Sequence, residues 1–385
     1  MMKILYVLND TFRNGGTESV ILNYYNNINR EFFRIDFMLH TTEEEAESNT
    51  VCQRIKESGS KVFCVTPRSV SVIQNKKDIF SVLQHEKYDV VHAHADAVNG
   101  YILSIAKKCG VRTRIAHSHN TQIPIEPQNL KSIMHILFLE VCRIETRFVA
   151  THFMACSDDA ARWMFGKNNT DNGKVYILNN AVNAKKYAFN QSTRDVVREK
   201  LGIDNELLLG HVGRFSKQKN HEFIFKVFCE IKKRKEDAKL LLVGEGKEKE
   251  RIIEYARSLD LEESTIFYGN SNEVNDLLQA MDIFIFPSLY EGLGVALLEA
   301  QASGLSCLVS DSDKVSKKSK VTDLVHFLPL DDPTIWAEAI LSHRNDQRKD
   351  CSTIIEKAGY DIVKEAKKLE KYYSDVWSKE DLEWK

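Results

Sequence analysis

The sequence of 385 residues has little of what marks several large classes of protein. It has no apolar run long enough to span a membrane and no signal-peptide pattern with a cleavage site. Its 53 lysines and arginines are balanced by 55 aspartates and glutamates, whereas a dedicated nucleic-acid-binding protein would be clearly basic. Low-complexity segments are absent too. We therefore expect a globular cytoplasmic protein that does not bind nucleic acid.

Two classes of motif are missing as well. The 8 cysteines are scattered and none forms a CxxC pair, so we expect small buried hydrophobic side chains in a reducing compartment. The loops after the first strand of each half lack the GxGxxG fingerprint of nicotinamide-binding domains. This second absence argues against a dehydrogenase.

What the sequence does contain is a regular alternation of strand-like and helix-like segments, such as the helix-like stretches Ser19–Ile28 and Ala97–Lys108. The strand-like segments of the first half are Lys3–Leu8, Ile35–His40, Lys61–Thr66, Val90–His94, Arg114–Ser118, Phe153–Ser157 and Val175–Asn179. Those of the second half are Leu207–Gly213, Lys239–Gly244, Thr265–Gly269, Asp282–Pro287, Ser306–Ser310 and Val325–Leu328. Such alternation predicts parallel sheets with helices on both faces, and the length fits two domains. We predict two Rossmann-like α/β domains with a cleft between them and a boundary in the polar segment Asn183–Lys200.

The segment 291–299, EGLGVALLE, carries the most specific chemistry. It follows the apolar strand Asp282–Pro287 and opens a helix-like stretch that ends at Gly304. A strand, a glycine loop and a helix in this order leave free backbone N–H groups at a helix N-terminus, which is an anion site. The carboxylates of Glu291 and Glu299 cannot bind the anion, so they are suited to accept hydrogen bonds from hydroxyls. Phosphate flanked by hydroxyls describes a sugar nucleotide.

Histidines end two strands of the first half, where ligands of parallel sheets bind. His117 and His119 form a polar cluster at a strand end; the alternatives are core histidines or a zinc site, although no cysteine or carboxylate accompanies the pair. His92 and His94 lie on one face of the preceding strand because side chains alternate along a strand. They are either hydrogen-bonded core residues or one wall of a binding site.

Cations and glycines follow strands in the same way. Arg214 and Lys219 come after the first strand of the second half, where fixed positive charge would stabilise a departing diphosphate; the alternative is a solvated basic loop. Gly244 and Asn270 follow the next two strands, in loops that are either turns or nucleotide contacts. Gly15-Gly16 follows the first strand of the chain and either allows a ligand to approach closely or forms a turn into the next helix.

Taken together, these motifs resemble those of retaining glycosyltransferases with the GT-B fold, glycosyltransferase family 4, and in particular the enzymes of bacterial capsule and exopolysaccharide assembly. The resemblance rests on the Glu-x7-Glu pattern after a PS-x-x-EG strand end and on the order of the other motifs, and it spans nearly the whole chain. It implies an acceptor-binding domain at residues 1–190 and a donor-binding domain at 191–364. A C-terminal helix, 365–385, would pack back on the first domain.

The resemblance also implies roles for single residues. Glu291 would hold hydroxyls of the transferred sugar, Glu299 the ribose, Arg214 and Lys219 the diphosphate, and His117 the sugar near the reacting centre. The catalytic residues are expected to be His117, Arg214, Lys219 and Glu291. Donor contacts are expected from Gly15, Gly16, Gly244, Asn270, Gly292, Leu293, Gly294, Val295 and Glu299. The acceptor side is expected at His92, His94 and His119.

The implied reaction moves a sugar from a nucleotide-diphosphate sugar, which we expect to be uridine-based, to a lipid-diphosphate-linked oligosaccharide. It would take place at the inner face of the cytoplasmic membrane, with no cofactor and no metal. The lysine-rich loop 314–320 is either a solvated loop or a basic lip for anionic lipid. Two other classes stay open: a nucleotide-sugar epimerase of similar architecture, and a non-catalytic partner subunit.

Overall fold

The computed structural model describes residues 1–12, 15–123, 125, 127–234 and 237–382. The chain forms two compact units: Met1–Arg13, Ile21–Asn180 and Val363–Lys385 make up the first, Asn14–Val20 and Ala181–Ile362 the second. The sequence places the boundary after residue 190 instead. The acceptor and donor roles of the two domains stay predictions, and residues 383–385 of the predicted terminal helix lie outside the described residues.

The first unit is built on a seven-stranded parallel sheet with the order β3-β2-β1-β4-β5-β6-β7. Its strands are β1 (Met2–Leu8), β2 (Phe33–Leu39), β3 (Val62–Cys64), β4 (Val90–His94), β5 (Thr113–Ser118), β6 (His152–Ala155) and β7 (Val175–Ile177). Every residue of β4 is buried, as expected for a parallel strand covered by helices on both faces.

The second unit repeats this arrangement with a six-stranded parallel sheet, order β10-β9-β8-β11-β12-β13. Its strands are β8 (Leu207–Val212), β9 (Ala238–Val243), β10 (Thr265–Gly269), β11 (Ile283–Phe286), β12 (Ser306–Ser310) and β13 (Val325–Leu328). The two predicted parallel-sheet α/β domains are thus confirmed, and each predicted strand-like segment contains a strand.

Helices connect the strands within each unit. In the first half of the chain they are α1 (Gly16–Asn27), α2 (Glu43–Ser48), α3 (Thr50–Glu57), α4 (Val72–Glu86), α5 (Asn99–Lys108), α6 (Leu130–Val149), α7 (Asp158–Phe165) and α8 (Lys167–Asp171). In the second half they are α9 (Ala184–Tyr187), α10 (Gln191–Leu201), α11 (His221–Lys233), α12 (Lys249–Ser258), α13 (Val274–Ala280), α14 (Val295–Ala302), α15 (Pro333–His343), α16 (Ser352–Lys357) and α17 (Ile362–Leu382). Among the described residues, no helix combines the length and the apolar character that crossing a membrane requires.

The apolar faces of these helices close the cores. In the second unit, Phe225 and Phe228 of α11 and Trp336 of α15 pack against β8 and β9 on one face of the sheet. The eight cysteines are all free, and five of them are buried. They act as small apolar side chains, as the sequence predicts.

Candidate active site

The order of strands in each sheet reverses at one point, and the loops that leave the sheet there diverge. In the second unit this point lies between β8 and β11, which are neighbours. The loop after β8 contains Arg214 and a short 3-10 helix, Lys217–Lys219, and the loop after β11 contains Glu291. The topology therefore brings these predicted site residues to the place where open α/β sheets bind ligands.

Lys219 and Glu291 form an ion pair. The Lys219 ammonium lies 2.5 Å from the Glu291 carboxylate, and the two side chains are only 14% and 16% exposed. Lys219 also lies 4.5 Å from the centre of the Phe286 ring, at the end of β11. The two loops are joined by the Leu289 amide, which donates to the Gln218 carbonyl at 2.8 Å. A cation and a carboxylate are thus held together where little water screens them.

The backbone of Glu291 is fixed on both sides. Its N–H donates to the Lys314 carbonyl at 2.8 Å, and its carbonyl accepts from the Ser316 N–H at 3.0 Å. The lysine-rich loop therefore supports Glu291 through its backbone, while the side chains of Lys314, Lys317, Lys318 and Lys320 are exposed. Lys317 pairs with Asp311 and lies 4.0 Å from the centre of the Phe327 ring.

The glycine loop leads into α14 without a side-chain cap. Gly294 is the N-cap residue, and within the described part of the chain no side-chain hydrogen bond caps the helix. A Cβ on Gly294 would lie 2.8 Å from the Phe286 ring and 3.2 Å from the Glu291 side chain, so only glycine lets the chain pass so close to both. The first amides of α14 are left to bind an anion next to Lys219.

Glu299 lies on α14 and accepts a hydrogen bond of 2.7 Å from the Tyr187 hydroxyl on α9. Burial raises the pKa of this carboxyl to about 7, although the Tyr187 hydrogen bond works in the opposite direction. The ionised fraction of a carboxyl group that is half protonated near neutral pH rises strongly when a ligand donates hydrogen bonds to it.

In the second unit, the loops after β8, β9 and β10 approach one another at Gly213, Gly244 and Gly269. Gly244 has a φ of +141°, and a Cβ there would overlap the carbonyl of Gly213. The Gly244 amide donates to the Gly269 carbonyl at 2.8 Å. Asn270, which follows Gly269, is exposed and available to a ligand that lies over these loops.

Arg214 is exposed at the end of β8. A Cβ on Gly15 would overlap the Glu18 carboxylate and press on the Arg214 guanidinium, so the lack of a side chain at Gly15 is what makes room for both groups. A Cβ on Gly16 would meet no atom of the described residues within 4 Å, so these residues give no steric reason for that glycine.

The four predicted histidines of the first unit form one cluster. His92 Nε2 lies 3.2 Å from His117 Nδ1, and His94 Nδ1 lies 2.9 Å from His119 Nε2. The His92 and His94 rings lie 4.1 Å apart, as do those of His117 and His119. Burial, followed by the charge of the neighbouring imidazoles, holds the pKa of His92, His94 and His117 well below the usual value. These imidazoles are neutral at physiological pH.

A hydrogen-bonded chain runs from the C-terminal helix to this cluster. Tyr6 bonds to Tyr373 of α17 at 2.9 Å, Tyr373 bonds to His92 Nδ1 at 2.7 Å, and His92 bonds to His117. The Nε2 atom at the end of the chain, on His117, is buried and has no hydrogen-bond partner among the described residues. Because each neutral imidazole has one donor and one acceptor nitrogen, the direction of the chain sets whether His117 Nε2 donates or accepts.

The cluster also offers a metal-like spacing, since ring nitrogens of His92, His94 and His117 lie within 4.8 Å of one another. The facing nitrogens of His92 and His117, however, are joined by a hydrogen bond. A metal needs each lone pair directed at itself from about 2.0–2.1 Å, so metal binding would require this bond to break. The absence of a metal from the reaction stays a prediction.

Comparison with known proteins identifies the family. The family model described as Glycosyltransferase Family 4 matches residues 14–186, and the model described as Glycosyl transferases group 1 matches residues 193–358. EpsF of Bacillus subtilis (strain 168), a glycosyltransferase by its name, is 32% identical over 344 residues, which cover 88% of this chain and 86% of EpsF. The chain belongs to glycosyltransferase family 4.

Two further comparisons concern one curated relative and one solved structure. The Escherichia coli enzyme UDP-Gal:alpha-D-GlcNAc-diphosphoundecaprenol alpha-1,3-galactosyltransferase is 25% identical over 357 residues, covering 86% of this chain and 90% of that enzyme. Among solved structures, Anabaena Alr3699/HepE in complex with UDP and glucose has a TM-score of 0.77 at 17% identity, covering 97% of this chain and 100% of that one. The structural likeness agrees with the predicted GT-B fold.

Within each unit, sequence reasoning did not find several residues that contact the candidate site residues. Tyr187 lies in a polar segment that the sequence indicates as a domain boundary, and Tyr373 lies on a helix remote in sequence from the histidines. Asp96, in a left-handed conformation with φ +46°, accepts hydrogen bonds from the backbone amides of His119 and Asn120 at 2.7 and 3.2 Å. A non-glycine residue with positive φ indicates local strain that the surroundings must support, and only the structure reveals it.

Proposed function

We propose that this family 4 glycosyltransferase transfers a sugar, with retention of anomeric configuration, from a uridine-diphosphate sugar to a lipid-diphosphate-linked oligosaccharide. The acceptor would be presented at the inner face of the cytoplasmic membrane, and the product would serve polysaccharide assembly. No metal or cofactor is required in this proposal.

The observation that carries the proposal is the Lys219–Glu291 pair beside the uncapped N-terminus of α14. The amides and Lys219 suit a diphosphate, and the Glu291 carboxylate suits the hydroxyls of the sugar attached to it. Glu299 lies further along the same helix, where the ribose would follow. One short segment thus offers complementary groups for three successive parts of a nucleotide sugar.

In the proposed reaction the acceptor hydroxyl attacks the anomeric carbon from the face on which the diphosphate departs. The bond from that carbon to the diphosphate oxygen breaks, the bond to the acceptor oxygen forms, and the hydroxyl proton passes to the departing diphosphate. Lys219 and Arg214 would stabilise the negative charge that develops on the diphosphate. His117 Nε2, buried and without a partner, would hold a sugar hydroxyl.

The donor and acceptor classes draw support from relatives. The name of the Escherichia coli enzyme specifies UDP-Gal as donor and a diphosphoundecaprenol-linked GlcNAc as acceptor. A Campylobacter jejuni enzyme that is 28% identical over 113 residues, or 29% of this chain and 30% of that one, is also named for a diphospho-undecaprenol acceptor. Anabaena HepE has been solved with UDP-glucose as well as with UDP and glucose.

The test is a transfer assay with a panel of uridine-diphosphate sugars and a short-chain lipid-diphosphate-linked N-acetylglucosamine. We expect an acceptor mass increased by one sugar, and an anomeric proton signal in the product that matches the donor's configuration. The Lys219→Met/Glu291→Gln double variant is the control for background transfer. Donor hydrolysis or epimerisation without any transfer would contradict the proposal, and an inverted product would remove the retaining mechanism.

A further inference from the structure

The outer face of α6 is apolar along its whole length. Its exposed apolar residues recur at helical spacing on one side and are Leu130, Ile133, Met134, Leu137, Phe138, Val141, Ile144 and Phe148. Leu137 is 61% exposed, Val141 63% and Phe148 74%. A helix on the surface of a water-soluble fold normally presents polar residues outward, and contiguous exposed apolar patches mark interaction sites.

The helix that carries this face is fixed to the first unit. Its other side is buried through Leu139, Cys142, Thr146 and Val149. A Cβ on Gly100 would overlap the backbone of Cys142, so α5 and α6 pack in direct backbone contact. The N-terminus is closed by a capping box between Asn129 and Ser132. The apolar face is therefore a rigid surface, about 30 Å long at 1.5 Å per residue over 20 residues.

A second exposed apolar group, Val70, Val72 and Ile73, extends this face. Tyr101 of α5 connects the two: its ring lies 6.4 Å from that of Phe138, and its hydroxyl donates to the Val72 carbonyl at 3.4 Å. We call the outer residues of α6 together with residues 70–73 the α6 face.

The charges around the α6 face are mainly positive, although the chain has a formal net charge of -2. Of the cations here, Lys76 and Lys77 beside residues 70–73 and Lys131 on α6 are exposed, whereas Arg143 of α6 is paired with Glu140 at 2.6 Å. A basic rim around an apolar surface complements an anionic bilayer. The same rim would repel itself across a symmetric contact between two copies of the chain.

We propose that the α6 face binds the anionic surface of a lipid bilayer, with its apolar side chains among the acyl chains and the cations at the headgroups. This inference rests on the proposed function, because a lipid-linked acceptor would have to be reached at a membrane. It goes further by assigning the membrane contact to one surface of the first unit.

The experiment is flotation of the full chain with vesicles of equal parts phosphatidylglycerol and phosphatidylethanolamine, and with vesicles of phosphatidylcholine alone. The test variant is Leu137→Ser/Val141→Ser, and the matched control is Val196→Ser/Ile354→Ser, which removes two exposed apolar side chains of the second unit. We expect the wild type and the control to bind the anionic vesicles, and the test variant to bind at least tenfold less. Stability should be similar in all three proteins, since exposed substitutions change it little.

Three results would overturn the proposal: a wild type that floats with neither kind of vesicle, a test variant that binds as well as the wild type, or self-association that the test variant abolishes without any vesicle binding. Hydrogen exchange adds a positional check, because vesicles should protect residues 70–73 and 130–149, and protection confined to other residues would also count against the α6 face. The assay contains no acceptor or donor. Vesicle binding without sugar transfer would therefore refute the proposed function alone, and transfer to a water-soluble acceptor without vesicle binding would refute the α6 face alone.

Discussion

Glu299 makes the ribose assignment testable through pH. In the free protein, burial raises the pKa of its carboxyl to about 7, so that half of the molecules carry a neutral group at that pH. Two ribose hydroxyls that donate to the carboxylate favour the charged form and lower this pKa in the complex. Donor affinity should therefore be full above pH 7 and fall as the pH drops through 7, because a proton must then leave before the ribose can bind.

The magnitude follows from the pKa. If the carboxyl is fully ionised in the complex, the affinity scales with the ionised fraction in the free protein, which is about 0.9 at pH 8 and about 0.09 at pH 6 for a pKa of about 7. The dissociation constant should therefore rise about tenfold between pH 8 and pH 6, equivalent to about 1.4 kcal/mol.

The assay is isothermal titration of UDP-glucose at pH 6, 7 and 8, in two buffers of different ionisation enthalpy. UDP-glucose is suitable because its diphosphate takes up no proton in this range. The difference between buffers should show proton release at pH 6 and almost none at pH 8. Glu299→Gln should bind more weakly at pH 8 and show no pH dependence.

The stability of the protein supplies an independent check on the same group. A carboxyl whose pKa is raised on folding stabilises the folded state fully below its ordinary pKa of 4.5, and this contribution is lost as the pH rises through about 7. Glu299→Gln should therefore gain stability relative to the wild type between pH 4 and pH 8. A wild-type affinity that is constant from pH 6 to pH 8, or an equal slope in Glu299→Gln, would refute the ribose assignment.

The remaining predictions concern charge and proton placement. Arg214→Ala should lower turnover about 10²–10³-fold with little change in the denaturation midpoint, since the side chain is exposed; unchanged turnover at saturating donor would remove it from the mechanism. Lys219→Met should cost about 1–3 kcal/mol in urea denaturation because it leaves the Glu291 carboxylate unpaired, and adding Glu291→Gln should restore most of that stability; additive losses would show that the pair is uncoupled. Tyr373→Phe should lower turnover more than it changes the donor Michaelis constant, whereas Tyr372→Phe on the same helix should change neither; equal effects would indicate a packing role only. Activity should survive a chelator, and loss that added magnesium or manganese reverses would contradict the metal-free mechanism.

The fold could be predicted largely from the sequence because buried parallel strands are short apolar runs bounded by polar residues. β11, Ile283–Phe286, is buried throughout and stands out in the sequence for that reason. The ends of the strands were less predictable: the segment Lys61–Thr66 contains only the strand Val62–Cys64. The edge strand β3 pairs on one side alone, and such strands end where pairing ends rather than where apolar residues end.

The apolar outer face of α6 could not be predicted. Its periodicity shows that the helix has apolar positions on more than one side, but the sequence does not say which side packs on the protein. Gly100 and the backbone of Cys142 decide this in three dimensions, because their close approach turns Leu139 inward and Leu137 outward. An outward apolar face is therefore visible only once the inner partners are known.

The candidate site residues also fall into two groups, those placed by the ends of strands and those placed by the packing of helices. The approach of Lys219 and Glu291 could be predicted because each lies in the loop that leaves the end of a strand, and these two strands are neighbours at the switch point between β8 and β11. The contact of Tyr187 with Glu299 in the second unit and that of Tyr373 with His92 in the first could not be predicted, because each tyrosine lies on a helix whose position depends on packing. The properties that these tyrosines influence, the ionisation of Glu299 and the donor or acceptor state of His117, are set by burial and by single hydrogen bonds. Strand-end position can therefore make a residue a candidate for the donor site, but its protonation depends on the folded environment. At about pH 7 half of the Glu299 carboxyls are neutral, and under the ribose assignment that half must lose a proton when the donor binds.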